Sequence, residues 1–279
     1  VTSHRQRNDA RKGPKSPYSP ALGERREGPR GPVRRAPVEE PNEWLWGWHA
    51  VAAALANPDR EPPKRLLATA DRATKLAGIK PQATKIEILE THQIGQALPQ
   101  GAVHQGVALK VAALEGVGIE DLAAEGSGVI LMLDQLTDPQ NVGAAFRSAA
   151  AFGAKGIILQ ERHAPSLSGS LAKAAAGAVD VIPHARVVNL SRALEKLSDM
   201  GWRAVGLDGA AEQSLEDALD GSPTVLVLGS EGEGLRRLVA EHCDVLASIP
   251  MPGGFESLNV SAAAAVALYE ASRPRGNRR

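Results

Sequence analysis

From Val129 onward, short apolar runs alternate with stretches of helical periodicity, and that alternation leaves few folds open to the chain. Strands are predicted at Val129–Asp134, Gly156–Leu159, Val179–Ile182, Arg203–Leu207, Thr224–Leu228 and Val245–Ile249. Helices are predicted at Val142–Phe152, Leu190–Asp199, Leu235–His242 and Ser261–Ser272. Strand and helix in turn predict an α/β domain, with a parallel sheet covered by helices on both faces. Ligands of such sheets collect in the loops that follow the carboxyl ends of the strands.

The region before Val129 reads differently. Residues 1–38 carry ten Lys or Arg against three acids, a balance of +7 in a chain whose formal charge is zero. Repeated Pro and Gly and few apolar residues leave this segment unable to offset the entropy of ordering, so residues 1–40 are predicted to be a disordered basic tail. It is either attracted to a polyanion through counterion release or a solvated tail without a specific partner. Residues 41–113 read as a small α/β domain. Its predicted helical segments are His49–Ala56 and Arg72–Leu76, and its strands Arg65–Ala68, Ile86–Leu89 and Val107–Val111. The glycine-rich tract 114–127 reads as a linker with a helical turn at Ile119–Ala124, and residues 128–279 form the second domain.

Composition narrows the class further. No apolar run approaches the roughly 20 residues of a membrane span, and no secretory pattern is present. The single cysteine, Cys243, excludes an intrachain disulfide, and a cytoplasmic, reducing setting is expected. The seven histidines show no metal-ligand spacing, so no metal is expected. Cys243 reads as a structural thiol, His49 as a helix-start residue, and His104 and Gln105 as part of a turn.

Three strand-following loops stand out. Asp134–Arg147 places Asn141 where a helix would be capped and Arg147 near two turns further on. An N-cap and a surface arginine would also explain that pair. Gly229–Gly234 follows an apolar strand, and its glycines allow either close backbone approach to a ligand or a structural turn. Ile249–Ser261 precedes an alanine-rich helix, and Ser257, Asn259 and Ser261 all suit the exposed donors of a helix start.

Together the loops are far more specific than any one of them. Asn-x-Gly-x-x-x-Arg, Gly-Ser-Glu-Gly-x-Gly-Leu, and Ile-Pro-Met with Ser-Leu-Asn-Val-Ser occur in that order over about 150 residues. They resemble the three motifs of the SpoU, or TrmH, branch of the SPOUT RNA ribose methyltransferases. Upstream, Leu45-Trp46-Gly47-Trp48-His49-Ala50-Val51 and Val103-His104-Gln105-Gly106-Val107 resemble the RNA-binding domain of members that modify a guanosine of 23S ribosomal RNA. That domain is similar to ribosomal protein L30e. Trp46 and Trp48 stand where the family has small or aliphatic residues.

The resemblance implies a trefoil knot whose crevice holds S-adenosyl-L-methionine. Gly229, Ile249 and Leu258 would contact it largely through backbone, with Met251 and Ser257 as further neighbours. It also implies a homodimer and structured RNA as substrate, with Asn141, Arg147, Glu231, Ser257 and Asn259 as the polar catalytic set and Arg147 able to act across the interface. The family's proposed base matches Arg147. A guanidinium holds its proton, so Arg147 is read as binding phosphate or stabilising developing alkoxide. The proton then leaves through phosphate, water or Glu231, which could instead pair with an arginine. Two other readings stay open: a transfer RNA ribose methyltransferase, and a non-catalytic RNA-binding assembly factor.

Overall fold

Val129–Leu133 is apolar at every position because both of its sides are buried, and this strand anchors the architecture of the larger domain. Ile130 and Met132 enter one core, and Leu131 and Leu133 enter the other. The structure is a computed structural model describing residues 44–79, 85–254 and 257–273; the basic tail 1–38 lies outside the described residues.

The smaller domain contains β1 (Trp44–Trp46), α1 (Trp48–Ala56), β2 (Arg65–Ala68), α2 (Ala70–Leu76), β3 (Ile86–Ile88), α3 (Thr91–Gln96) and β4 (Val107–Lys110). Its four-stranded sheet has the order β1-β4-β2-β3, antiparallel except between β2 and β3. A connecting helix, α4 (Ile119–Ala123), follows. Its Ile119 and Leu122 are buried in the core of the larger domain, and Trp202 Nε1 donates to the Ala123 carbonyl at 3.2 Å.

The larger domain continues through β5 (Val129–Leu133), α5 (Pro139–Ala151), β6 (Gly156–Gln160), α6 (Gly169–Ala175), β7 (His184–Val187), α7 (Leu190–Asp199), β8 (Arg203–Leu207), α8 (Leu215–Ala218), β9 (Thr224–Leu228), α9 (Arg237–Glu241), β10 (Val245–Ala247) and α10 (Val260–Ser272). Its six strands are all parallel, in the order β10-β8-β9-β5-β6-β7. One core lies under α5, α6 and α10, and the other under α4, α7 and α9. The helix α7 shows why: Leu190, Ala193, Leu194 and Leu197 recur at the spacing of one helical face and are buried, while Asn189 accepts from the Arg192 N–H as its cap.

Two local expectations are corrected. The segment predicted as a strand at Val179–Ile182 holds a short 3₁₀ turn, Ala178–Asp180, and the sixth strand is β7, further along. Gly177 enters the turn at φ 94°, which bends the chain, and Val179 and Ile182 are buried by packing against helices. Asn141 does not cap α5 either. Asp138 does, accepting from the Gln140 and Asn141 N–H groups, with Pro139 in the first turn.

The two domains share a seam. The buried Arg60 guanidinium pairs with the buried Asp180 carboxylate and also donates to the Ala112 carbonyl at 3.3 Å. Asn57 Nδ2 adds a bond to Asp180 at 3.1 Å. Ala172 of α6 belongs to the apolar core of the smaller domain. A Cβ on Gly177 would lie 2.9 Å from both Ala53 Cβ and the His49 carbonyl oxygen, so the backbones meet without space for a side chain.

Candidate active site

Neighbouring strands decide which loops can meet. β5 and β9 are adjacent and in register, with Leu133 opposite Leu228, so the loops leaving their carboxyl ends start side by side. The helix α10 packs against α5, β5 and β9, which brings the third loop to the same edge. The result is a three-way junction. Glu231 Oε1 accepts from Asn141 Nδ2 at 3.1 Å, from Asn259 Nδ2 at 2.6 Å and from the Val260 N–H at 3.3 Å. Asn259 Nδ2 also donates to Asn141 Oδ1 at 3.0 Å. Each of the three loops thus contributes one polar side chain, and the carboxylate partners two asparagines rather than an arginine.

Asn259 has a second task. Its Oδ1 accepts from the Ser261 N–H at 2.9 Å and from Ser261 Oγ at 2.6 Å, capping α10. Position and cap are fixed by the same side chain, so the start of α10 and the Glu231 carboxylate cannot shift independently. Asn141 lies in the first turn of α5, one residue before the buried Val142. Glu231 Oε2 has no hydrogen bond among the described residues, leaving it as the acceptor available to a further group.

Other expected residues stand apart. Arg147 is exposed on α5 and makes no hydrogen bond or ion pair among the described residues. Ser257 is likewise exposed and without a hydrogen bond among them. The structure therefore gathers Asn141, Glu231 and Asn259, and does not join Arg147 or Ser257 to them.

The residues expected around a cofactor line three loop segments. Gly229 opens a tight turn closed by the Ser230 N–H to Gly234 carbonyl bond at 3.1 Å and its reciprocal at 3.0 Å. A Cβ on Gly229 would sit 2.1 Å from the Gly234 carbonyl carbon, so glycine is required there by the turn itself. Ile249 and Met251 are half-buried, and Leu258 is 41% exposed. Among the described residues, the backbone groups of Gly229, Ile249 and Leu258 enter no backbone–backbone hydrogen bond.

One pairing was not singled out from the sequence. Asp134, fully buried at the end of β5, accepts from the Arg236 N–H at 3.0 Å and from Arg236 Nε at 2.7 Å. This pair ties the first loop to the residues just after the second on the opposite face of the sheet from α5. The sequence signal was an acidic residue directly after five apolar positions of a central strand, where burial demands a partner. Cys243 is half-buried, its thiol 3.3 Å from the Val239 carbonyl, and burial pushes it up to about 12, with Asp244 and Asp134 adding to the effect. Among the described residues no group of three or more His, Cys, Asp or Glu is placed to hold a metal.

Comparison with known proteins places the chain in a family. The SpoU rRNA Methylase family model matches residues 128–269, and a model for RNA 2'-O ribose methyltransferase substrate binding matches residues 44–117. The chain is 41% identical over 247 residues to the 23S rRNA (guanosine-2'-O-)-methyltransferase RlmB of Xylella fastidiosa (strain 9a5c), covering 85% of this chain and 99% of that protein. It is 38% identical over 255 residues to an uncharacterized tRNA/rRNA methyltransferase of Synechocystis sp., 88% of this chain and 66% of that longer protein. In fold it is similar to the AdoMet-bound rRNA methyltransferase from Sinorhizobium meliloti, with a TM-score of 0.68 and 25% identity over 82% of this chain and 86% of that one. With the family model covering residues 128–269 and a 41% identical relative covered along 99% of its length, the chain belongs to the SpoU methylase family of RNA methyltransferases.

Proposed function

We propose that this protein uses S-adenosylmethionine to methylate the ribose 2'-hydroxyl of a guanosine in 23S ribosomal RNA. The observation that carries this is the junction of Asn141, Glu231 and Asn259 at the carboxyl edge of β5 and β9. The similarity to the Xylella enzyme along nearly its whole length supports the substrate.

The residues beside that junction fit the cofactor. Gly229, Ile249 and Leu258 offer backbone donors and acceptors left open by the fold, and Ile249, Met251 and Leu258 add incompletely buried apolar surface next to them. Such a set suits a ligand with a flat heterocycle whose edge takes hydrogen bonds. When bound, S-adenosylmethionine supplies an electrophilic methyl group.

The protein's own work is positioning and charge. Asn141 and Asn259 hold Glu231 in one place, and its Oε2 is the acceptor offered to the substrate hydroxyl or to a water that takes the proton. Arg147 is the cation free to meet an RNA phosphate or the developing alkoxide. Residues 41–113 form an L30e-like domain that binds the RNA, 114–127 connect it, and 128–279 form the knotted methyltransferase domain. The exposed Val266 and Tyr269 of α10, the latter edge-on to Phe152 at 5.8 Å, support a second copy packing on that face as a homodimer.

The test is to incubate the protein with labelled S-adenosylmethionine and separated ribosomal and transfer RNAs, then map the modified nucleotide. Label on a single guanosine ribose of 23S RNA is expected. Label only on transfer RNA, or binding of RNA with no transfer, overturns the assignment.

A further inference from the structure

The smaller domain carries a shallow, open depression of about 410 Å³, bounded by the start of α2, the start of α3 and the loop before β4. Its size lies within the range of small-ligand sites. Thr69, Asp71, Arg72, Thr91, His104 and Gln105 are the polar residues of its lining. Ala102 and the exposed Val103 give an apolar side.

The loop is built rather than loose. Gln105 sits at φ 54°, a left-handed conformation uncommon for a residue other than glycine, and Gly106 follows at φ 78°. Thr69 N–H donates to the Gly106 carbonyl at 2.9 Å, and the Gly106 N–H donates to His104 Nδ1 at 3.3 Å. Burial lowers the pKa of His104 and so favours its neutral ring, in which the acceptor role of Nδ1 puts the proton on Nε2. Gln105 Oε1 accepts from the Trp48 N–H at 3.0 Å and from Lys173 Nζ of α6 at 2.7 Å, fixing the amide. The Arg72 guanidinium lies 5.3 Å from the centre of the Trp48 ring, so its position is also held.

The charges select among ligands. A bare phosphate would gain from Arg72 but meet Asp71, whose carboxylate is held charged by the Thr69 hydroxyl at 2.5 Å and, more weakly, by its ion pair with Arg72 at 3.7 Å. A neutral heterocycle with donors and acceptors along its edge, joined to a phosphate, satisfies both. In RNA that description fits an unpaired nucleotide, since pairing hides the base edge.

We infer that this cavity binds an unpaired base of the substrate RNA, with Asp71 and the Gln105 amide reading its edge and Arg72 holding the adjoining phosphate. The inference rests on the reading of the chain as an RNA-modifying enzyme and adds a recognition point in the smaller domain, away from the methylated ribose.

The probes are fluorescent ten-nucleotide uridine RNAs carrying one central A, C or G, compared with a blunt RNA duplex of equal length. Binding to the full chain is followed by anisotropy at several salt concentrations. At least one single strand is expected to bind at least about fivefold more tightly than the duplex, as base contacts of this kind provide. Thr91→Trp, which fills the cavity, abolishes that preference. Arg72→Ala lowers the salt slope by about one. Asp71→Ala is decisive even if Thr91→Trp fails to fold. Loss of a negative charge strengthens unspecific RNA binding, whereas a carboxylate that reads a base edge is missed, so weaker single-strand binding is expected. Unchanged or tighter binding by Asp71→Ala, or equal affinity of the wild type for strand and duplex, overturns the inference. Methyl transfer to ribosomal RNA is scored separately, so a cavity that fails leaves the activity standing, and absent activity with intact strand preference leaves the cavity standing.

Discussion

The amide of Asn259 donates to Glu231 Oε1 at 2.6 Å while its carbonyl oxygen caps α10, so one side chain links the candidate active-site carboxylate to the start of the last helix. Glu231 is exposed, and its importance is therefore expected in turnover rather than in stability. Glu231→Ala should lower kcat on the order of 100-fold through lost positioning, with cofactor affinity by calorimetry within a few-fold of wild type. Glu231→Gln keeps an acceptor oxygen for both asparagines but presents an amide N–H in place of Oε2, so it should retain the positioning and still lose the share of the rate that this acceptor supplies. Equal loss in both variants would show that the charge, rather than the position, is used.

Arg147 combines an exposed position on α5 with the absence of any partner among the described residues. Arg147→Ala should lower kcat by roughly 10²–10³, the range for loss of one charge-stabilising donor, with an unaltered melting temperature. Arg147→Lys retains a point charge without the planar fork and should fall between. Undiminished transfer by both variants would remove Arg147 from the reaction.

The Arg60–Asp180 pair is buried on both sides, at 5% and 3% side-chain exposure. Removing one partner strands the other charge in the seam. Arg60→Ala should therefore cost about 3–5 kcal/mol in denaturant unfolding. A change below about 1 kcal/mol would mean that water reaches the seam.

His184 is 2% exposed, its Nε2 has no hydrogen-bond partner, and burial, then Arg186 and Arg60, push its pKa from 6.5 to about 4, against the opposing pull of Asp180. The unfolded chain takes up this proton near pH 6.5 and the folded chain only near 4. Between those values the unfolded state binds more protons, so stability falls as pH drops, by up to about 3 kcal/mol once below both. His184→Gln should flatten that part of the profile. Unfolding measured at pH 7 and pH 4.5 with an unchanged slope in the variant would assign the loss to other groups.

Much of this was legible because parallel strands buried on both sides announce themselves. Val129–Leu133, Arg203–Leu207 and Thr224–Leu228 are apolar enough to be read directly. The strand β7 escaped because His184 and Arg186 break its apolar character, while the neighbouring Val179–Ile182 mimics a strand and is buried as a turn. The three motif loops could be read as a set, but not their meeting point. Only the adjacency of β5 and β9 and the packing of α10 put Asn141, Glu231 and Asn259 within hydrogen-bond distance. The seam between the domains was invisible, because Arg60 and Asp180 are 120 residues apart and an acid inside the apparent strand Val179–Ile182 gives no sign of its partner.

That seam also bears on how an RNA could be chosen. With Ala172 inside the smaller domain's core, the connecting segment pinned by Val117 N–H to the His184 carbonyl at 2.8 Å, and Gly177 pressed against α1, the domain is a fixed ruler and not a swinging arm. An RNA that reaches both the cavity near Gln105 and the junction at Glu231 must already present those two points at the right spacing. Selectivity then comes from the folded shape of the RNA, and a flexible strand carrying the same nucleotides would be a poor substrate because it must first give up its own freedom.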